Sequence, residues 1–362
     1  MATYRSGPAD STDRYLRGER FGMHHFLRME SWRPVFFEPW ALGDALIAAS
    51  VLRTWARRSG RAGVLACASR WHPVITAAME VEASAEPPPL ELWAVDLPYA
   101  GPYGRGPLDF DSAAPVKAPP HAGAAEQELR VLSIRGDPRD YWAARRLLKG
   151  HQVEFSGWSP FLCRRLWLLD TPFREGWLPV RNRYQAWASL VHLQRDGLGV
   201  GLPAPRTVAG SRAVLHVGAQ WRSKQYPWPA ALHRCLVDAG LEARLVAGPG
   251  DPLPDGVEEA AVARLADRAL VHRLSEADLV IVNDSGPMHL AAFLGRPTVV
   301  LALVANIDEW LPPGVSAVRG AGMPRGYGTM RHYATHRILP GWPSPQDVVS
   351  ALGMPPAKRA VP

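Results

Sequence analysis

The chain has 362 residues, 47% of them hydrophobic and 21% charged, with a formal net charge of +7; this is the make-up of a soluble globular protein long enough for two cores. It contains no run near the roughly 20 consecutive apolar residues of a spanning helix. Its polar start lacks the apolar centre of a secretory signal, and Cys67, Cys163 and Cys235 form no CxxC pair. Membrane spans, disulfide frameworks and cysteine zinc sites are therefore not expected, whereas buried free thiols and a cytoplasmic location are.

Taken in chain order, residues 1–30 read as a polar lead-in. Pro34 to Glu38 is a short strand, followed by a helix from Asp44 to Arg58 with Ile47, Val51 and Trp55 on one face. Strand Gly63 to Ala68, a helix near Pro73 to Met79 and strand Leu90 to Val95 complete a β-α-β-α-β rhythm that predicts a parallel sheet. Residues 98–121, rich in Pro, Gly and Ala, form a long loop, and 130–195 is a mixed, tryptophan-rich region. The Gly/Pro composition of 196–211 marks a connector.

Beyond it, Ala213 to Val217 is a strand, Pro229 to Ala239 a helix stopped by Gly240, and Glu242 to Val246 a strand. One helix is expected over Val257 to Leu274, and a last helix near Pro345 to Leu352 is expected to pack back across the molecule. Between these lies the most informative segment. The apolar run Leu279 to Val282 reads as a buried strand that ends on Asp284-Ser285-Gly286-Pro287-Met288-His289. Pro287 fits a first helical turn, Gly295 closes the helix, and Pro297 to Leu303 is the next strand. Asp284, Ser285, Gly286 and His289 thus gather at a helix N-terminus outside a strand end, a place suited to phosphate. A turn with an N-cap and an incidental histidine is the alternative.

Three more strand-to-helix loops carry candidate chemistry. Gly43-Asp44 follows the first strand; Asp44 is either an N-cap worth about 1 kcal/mol or a carboxylate able to take a proton from an acceptor hydroxyl. His216-Val217-Gly218-Ala219-Gln220, followed by Lys224 and Trp228-Pro229, offers a mobile ammonium for a diphosphate or a solvated lysine, and lacks Walker A spacing. Gly248-Pro249-Gly250-Asp251 permits close backbone approach, with Asp251 placed for a ribose hydroxyl or simply for a turn. Asp109-Phe110-Asp111 has DxD spacing but no preceding strand, and Gly197 to Gly201 is not GxGxxG; neither is taken as a site. The positive charge suits an anionic substrate or solvated helix faces, and no nucleic-acid module is recognisable.

In this order, Gly43-Asp44, then Gly218-Ala219 with Lys224 and Trp228-Pro229, then Asp284 through Ala292, the chain resembles glycosyltransferase family 9, the heptosyltransferases. The resemblance spans about residues 34 to 303 and is poor in the middle third. It implies an α/β fold of glycosyltransferase-B type, two Rossmann-like doubly wound parallel-sheet domains facing a cleft, with an acceptor-side domain over 31–200, a donor domain over 211–340 and a C-terminal helix and tail over 341–362. It implies inverting, metal-independent transfer of a sugar, heptose first, from a nucleotide-diphospho-sugar, typically ADP-heptose, with no further cofactor.

Carried onto matching positions, Asp44 is the general base with Gly43 beside it on the acceptor side, and Lys224 contacts phosphate. Asp284 holds the donor sugar, and Ser285, Gly286 and His289 surround the diphosphate. Gly218, Ala219, Gln220 and Asp251 complete the donor side, although Ala219 and Gln220 replace the family's common small hydroxyl residues and Asp251 its commoner Glu. The mechanism expected is a single displacement with domain closure. The partners implied are a nucleotide-sugar and a glycan, glycolipid, protein or small-molecule acceptor, with no nucleic acid and at most peripheral membrane contact. A nucleotide-sugar 2-epimerase and a non-catalytic sugar-nucleotide-binding protein are the alternatives.

Overall fold

The computed structural model describes residues 32–82, 90–98, 117, 128–134, 143–144, 146–147, 153–157, 182–193, 198, 210–219, 222–303, 307–320 and 341–354. The expectations for 1–30, for 98–121 beyond its first residue and Lys117, for most of 196–211, and for Asp109, Asp111, Cys163 and Gln220 lie outside them.

Two parallel sheets organise the chain. The first contains β1 (Trp32–Phe37), β2 (Gly63–Cys67), β3 (Leu90–Ala94), β4 (Glu128–Ser133) and β5 (Val153–Gly157), in the order β3-β2-β1-β4-β5. Helix α1 (Leu42–Ser59) joins β1 to β2, and α2 (His72–Glu82) lies between β2 and β3. The second sheet has the order β11-β10-β9-β6-β7-β8, from β6 (Arg212–His216), β7 (Glu242–Ala247), β8 (Val262–Arg264), β9 (Leu279–Asn283), β10 (Thr298–Ala302) and β11 (Ser316–Arg319). Every pairing in both sheets is parallel. This follows from strands such as Leu279–Asn283 and Thr298–Ala302, buried along their whole length, which only a sheet covered on both faces accommodates.

Between these strands run α3 (Arg183–Leu190), α4 (Pro229–Asp238), α5 (Asp267–Ser275), α6 (Gly286–Phe293), the single turn α7 (Ile307–Trp310) and finally α8 (Pro345–Ala351). Two expectations are corrected here. Residues 257–274 do not form one helix: a 3-10 turn at Glu259–Ala261 leads into β8, whose backbone pairs with β7 (Leu245 with Val262), and only then does α5 begin. Pairing the edge of β7 outweighs helical propensity over the Glu-Ala-rich stretch. The last helix does not cross the molecule. Its Val348 and Val349 are buried in the second half's own core beside Leu232 and Leu236 of α4, and a Ser344–Asp347 capping box starts it. The thiols also divide, since Cys67 is buried but Cys235 only half-buried.

The halves meet in a packed seam. Helix α1 is buried almost all round because one side faces its own sheet and another faces α6. One core therefore runs from Phe36, Leu46 and Ile47 through Met288, Leu290 and Phe293 of the other half. Helix α2 packs on α5, and α3 lies against both α1 and α7. Trp187 of α3 stacks on Phe36 with ring centroids 4.3 Å apart, fixing this late helix to the first sheet. Where an open cleft is expected from sequence, the helix bodies are in direct contact, and the polar groups collect at their N-terminal ends.

Candidate active site

Each sheet reverses its winding direction once, and ligands of doubly wound folds bind outside the strand ends at that point. In the first sheet the reversal lies between β1 and β4, and the turn leaving β1 carries Gly43 and Asp44. In the second it lies between β6 and β9. The loop after β6 carries Gly218, Ala219 and Lys224, and the turn after β9 carries Asp284, Ser285 and Gly286. These two switch points face each other. A Cβ placed on Gly43 would sit 2.9 Å from His289 Cδ2 and 3.5 Å from the Gly286 Cα, so only glycine allows this approach.

Asp44 is not the cap of α1. The N-cap is Ala41, which offers no side-chain acceptor, and Asp44 stands in the first helical turn. The simple capping reading thus fails for this residue. Its carboxylate is largely buried, with Arg183 Nη1 3.8 Å from its Oδ1. Helix α6 is also uncapped, since Ser285 at its N-cap turns its hydroxyl back to the Asn283 carbonyl at 3.3 Å. Pro287 has no N–H and the Met288 amide donates to the Ser285 carbonyl at 3.0 Å, so the Gly286 amide and the helix dipole are what this end of α6 offers to negative charge.

Lys224 Nζ lies 2.8 Å from Asp284 Oδ2 across the second switch point, a contact between a largely buried ammonium and a buried carboxylate. His289, one turn into α6, is buried, and burial pushes its pKa down to about 4, so the imidazole is neutral at pH 7; Asp44 and Asp284 oppose that shift, while Lys224 and Arg183 add to it. The same four charged groups therefore surround one ring. His289 Nδ1 lies 2.9 Å from the hydroxyl of Tyr184, itself fully buried, and burial raises that phenol well above its ordinary value.

Asp251 reaches back from the turn after β7. Its Oδ2 accepts the Gly248 amide at 2.9 Å and lies 3.7 Å from the buried His216 Nε2, and a Cβ on Gly218 would overlap it. The carboxylate is thus packed on the β6 loop and braces its own turn. Burial lowers the pKa of His216, and Asp251 works against this.

The structure brings together Gly43, Asp44, Lys224, Asp284, Ser285, Gly286 and His289, with Gly218, Ala219 and Asp251 at the neighbouring strand ends. Sequence reasoning missed several contributors. Buried Asn283 donates from Nδ2 to the Val217 and Gly218 carbonyls (3.1 and 3.2 Å) and accepts from the Tyr226 amide at 3.1 Å, which ties the two loops of the switch point together. Arg264 holds the 248–251 turn through the Gly248 and Asp251 carbonyls. Three consecutive residues of the tryptophan-rich middle region also reach the seam. Asn182 donates to the Asp308 and Leu311 carbonyls, Arg183 approaches Asp44 and Glu309, and Tyr184 bonds His289. An Asn before a helix with Tyr184 and Trp187 three residues apart was the one local signal for this element.

Among the described residues there is no group of three His, Cys, Asp or Glu side chains placed to share a metal ion, and no helix long and apolar enough to cross a membrane. Residues 204–318 match the family model of glycosyltransferase family 9 (heptosyltransferase). No curated protein matches the chain in sequence. Among solved structures, the chain is similar to E. coli ADP-heptose lps heptosyltransferase II, at 17% identity and a TM-score of 0.51, covering 89% of this chain and 97% of that one. It is also similar to E. coli heptosyltransferase WaaC with ADP, at 14% identity and a TM-score of 0.48 over the same shares. A family 9 glycosyl transferase from Veillonella parvula DSM 2008 gives 17% and 0.48, covering 80% of this chain and 85% of that. The two switch points, the sheet orders and the likeness to the heptosyltransferase II structure converge on a glycosyltransferase-B fold, and residues 204–318 are similar to glycosyltransferase family 9.

Proposed function

We propose that this chain transfers a sugar from an ADP-sugar, heptose being the first candidate, to an acceptor hydroxyl with inversion and without a metal. One observation carries the reading: the Asp44 turn of the first sheet meets the Lys224–Asp284 pair and the uncapped start of α6 where both sheets change winding direction. A diphosphate resting on the Gly286 amide at the positive end of α6 would compete with Asp284 for Lys224, and that ammonium would then offset charge growing on the leaving group. Asp284, released from the pair, would be left to accept hydrogen bonds from sugar hydroxyls. Asp44, from the other half, would take the acceptor proton as its oxygen attacks the anomeric carbon, which matches the single-displacement geometry of inversion. Because the positive charge that a metal would provide is supplied by Lys224 and helix dipoles, no divalent ion is needed in this scheme.

A thermal-unfolding screen against ADP-, UDP-, GDP- and CMP-sugars tests it. Selective stabilisation by an ADP-sugar is expected, by about 2.7 kcal/mol at a ligand excess of roughly a hundredfold over Kd. Silence across the panel, or a sugar product formed from donor alone as a 2-epimerase would form it, would overturn the proposal.

A further inference from the structure

We infer that Tyr184 is a positioning residue that sets the tautomer of His289, so that the imidazole presents its Nε2–H to the seam between Asp44 and the start of α6. The two side chains come from opposite halves. Tyr184 is the second residue of α3, anchored to the first sheet through Trp187 on Phe36, and His289 lies on α6 of the second half. Their hydroxyl-to-Nδ1 contact of 2.9 Å is fully buried. In such a site each polar atom must find its partner within the protein.

Two arrangements satisfy the contact: the phenol donates to a bare Nδ1, or Nδ1–H donates to the phenol oxygen. Hydrogen-bond accounting decides between them: among the described residues Nδ1 is the partner of the Tyr184 hydroxyl, so if Nδ1–H donated, the fully buried phenol O–H would be left without an acceptor. The opposite edge of the ring, bearing Cδ2 and Nε2, faces Gly43, next to Asp44. The single proton of the neutral ring is then carried on Nε2. The phenol, kept protonated by its burial, then donates to Nδ1. Asn182 supports the geometry, since it caps α3 through the Tyr184 amide at 3.0 Å and grips the Asp308 and Leu311 carbonyls of the other half. The consequence for a ligand, which rests on the donor-site reading above, is that His289 offers one fixed donor to a phosphate or sugar oxygen and no acceptor.

The decisive measurement is the nitrogen NMR spectrum of the ligand-free protein labelled with 15N-histidine, near pH 7. The pattern of a pure Nε2–H tautomer is expected for His289, assigned by its loss in His289→Gln. Tyr184→Phe removes only the hydroxyl and is expected to yield a mixture of tautomers with the fold intact. An Nδ1–H tautomer in the parent protein, or an unchanged Nε2–H tautomer in Tyr184→Phe, would overturn the inference. Should Tyr184→Phe fail to fold, the parent spectrum alone still decides. Calorimetry with ADP adds the ligand consequence: Tyr184→Phe is expected to bind about five- to tenfold more weakly, the loss of one well-placed hydrogen bond. Absence of ADP binding to the parent protein would count against the donor-site reading and leave the tautomer result standing.

Discussion

The two switch points are built in different ways. In the C-terminal half the loops are braced by their own neighbours. Asn283 joins the end of β9 to the β6 loop, Gln225 holds the Ala219 and Pro252 carbonyls, and Arg264 pins the 248–251 turn. In the N-terminal half the turn before α1 is held at the Trp40 carbonyl by the Trp71 indole at 3.3 Å and by Arg70 at 3.4 Å, and Asp44 takes its cationic neighbour from α3, far along the chain. The second switch point is therefore a locally closed unit, whereas the first becomes organised only when α3 and α6 come to it. Residues 204–318, which match the family model, contain this locally braced unit.

The comparison is broken or sharpened by variants on each side. The largest effect is expected from Asp44→Asn, which keeps shape and removes basicity: turnover should fall by about 10²- to 10⁴-fold. ADP affinity, measured by calorimetry, should change less than about twofold. A large loss of ADP binding in this variant would show that the first half also holds the nucleotide, and the division of labour would fail.

Next comes the residue at the seam. The folded chain refuses a proton at His289 down to about pH 4, while an ordinary histidine of the unfolded chain takes one near 6.5. The unfolded state thus binds more protons in that window, and stability rises with pH from about 4 to 6.5 and is lost as pH falls through it. The contribution is of the order of 3 kcal/mol, at 1.36 kcal/mol per pH unit. Urea unfolding of His289→Gln at pH 5 and pH 7 should show a smaller difference than the parent protein. Identical pH dependence in both would place the acid sensitivity elsewhere, with His216 the next candidate, since burial lowers it in the same direction.

The smallest effect is expected from Gly218→Ala in the braced half. Its Cβ would overlap the Asp251 carboxylate and push it off the Gly248 amide, at a cost of about 1–3 kcal/mol by urea unfolding. ADP affinity should fall with it. Unchanged ADP binding beside lost stability would reduce the 248–251 turn to a structural brace.

The amino-acid sequence by itself determined what depends on nearest neighbours. Continuous apolar strands bounded by Gly, Pro and Asp specify parallel β-α units, and the strands and helices of both halves fall close to where their periodicity puts them, from Leu42–Ser59 to Gly286–Phe293. The chemistry-bearing turns at Gly43-Asp44, Gly218 to Lys224 and Asp284 to His289 were legible for the same reason. Tertiary structure alone decided the rest. The stretch 257–274 looks helical in isolation, yet the unpaired edge of β7 draws Val262–Arg264 into the sheet. Asp44 looks like a cap, yet the helix starts early enough to turn its carboxylate toward the seam. Arg183 and Tyr184 carry no motif, because their roles rest on a packing of α3 between the halves that brings residues distant in the chain within hydrogen-bond reach. Local patterns record which backbone forms; long-range burial decides which charged and polar groups then have to share one small, water-poor space.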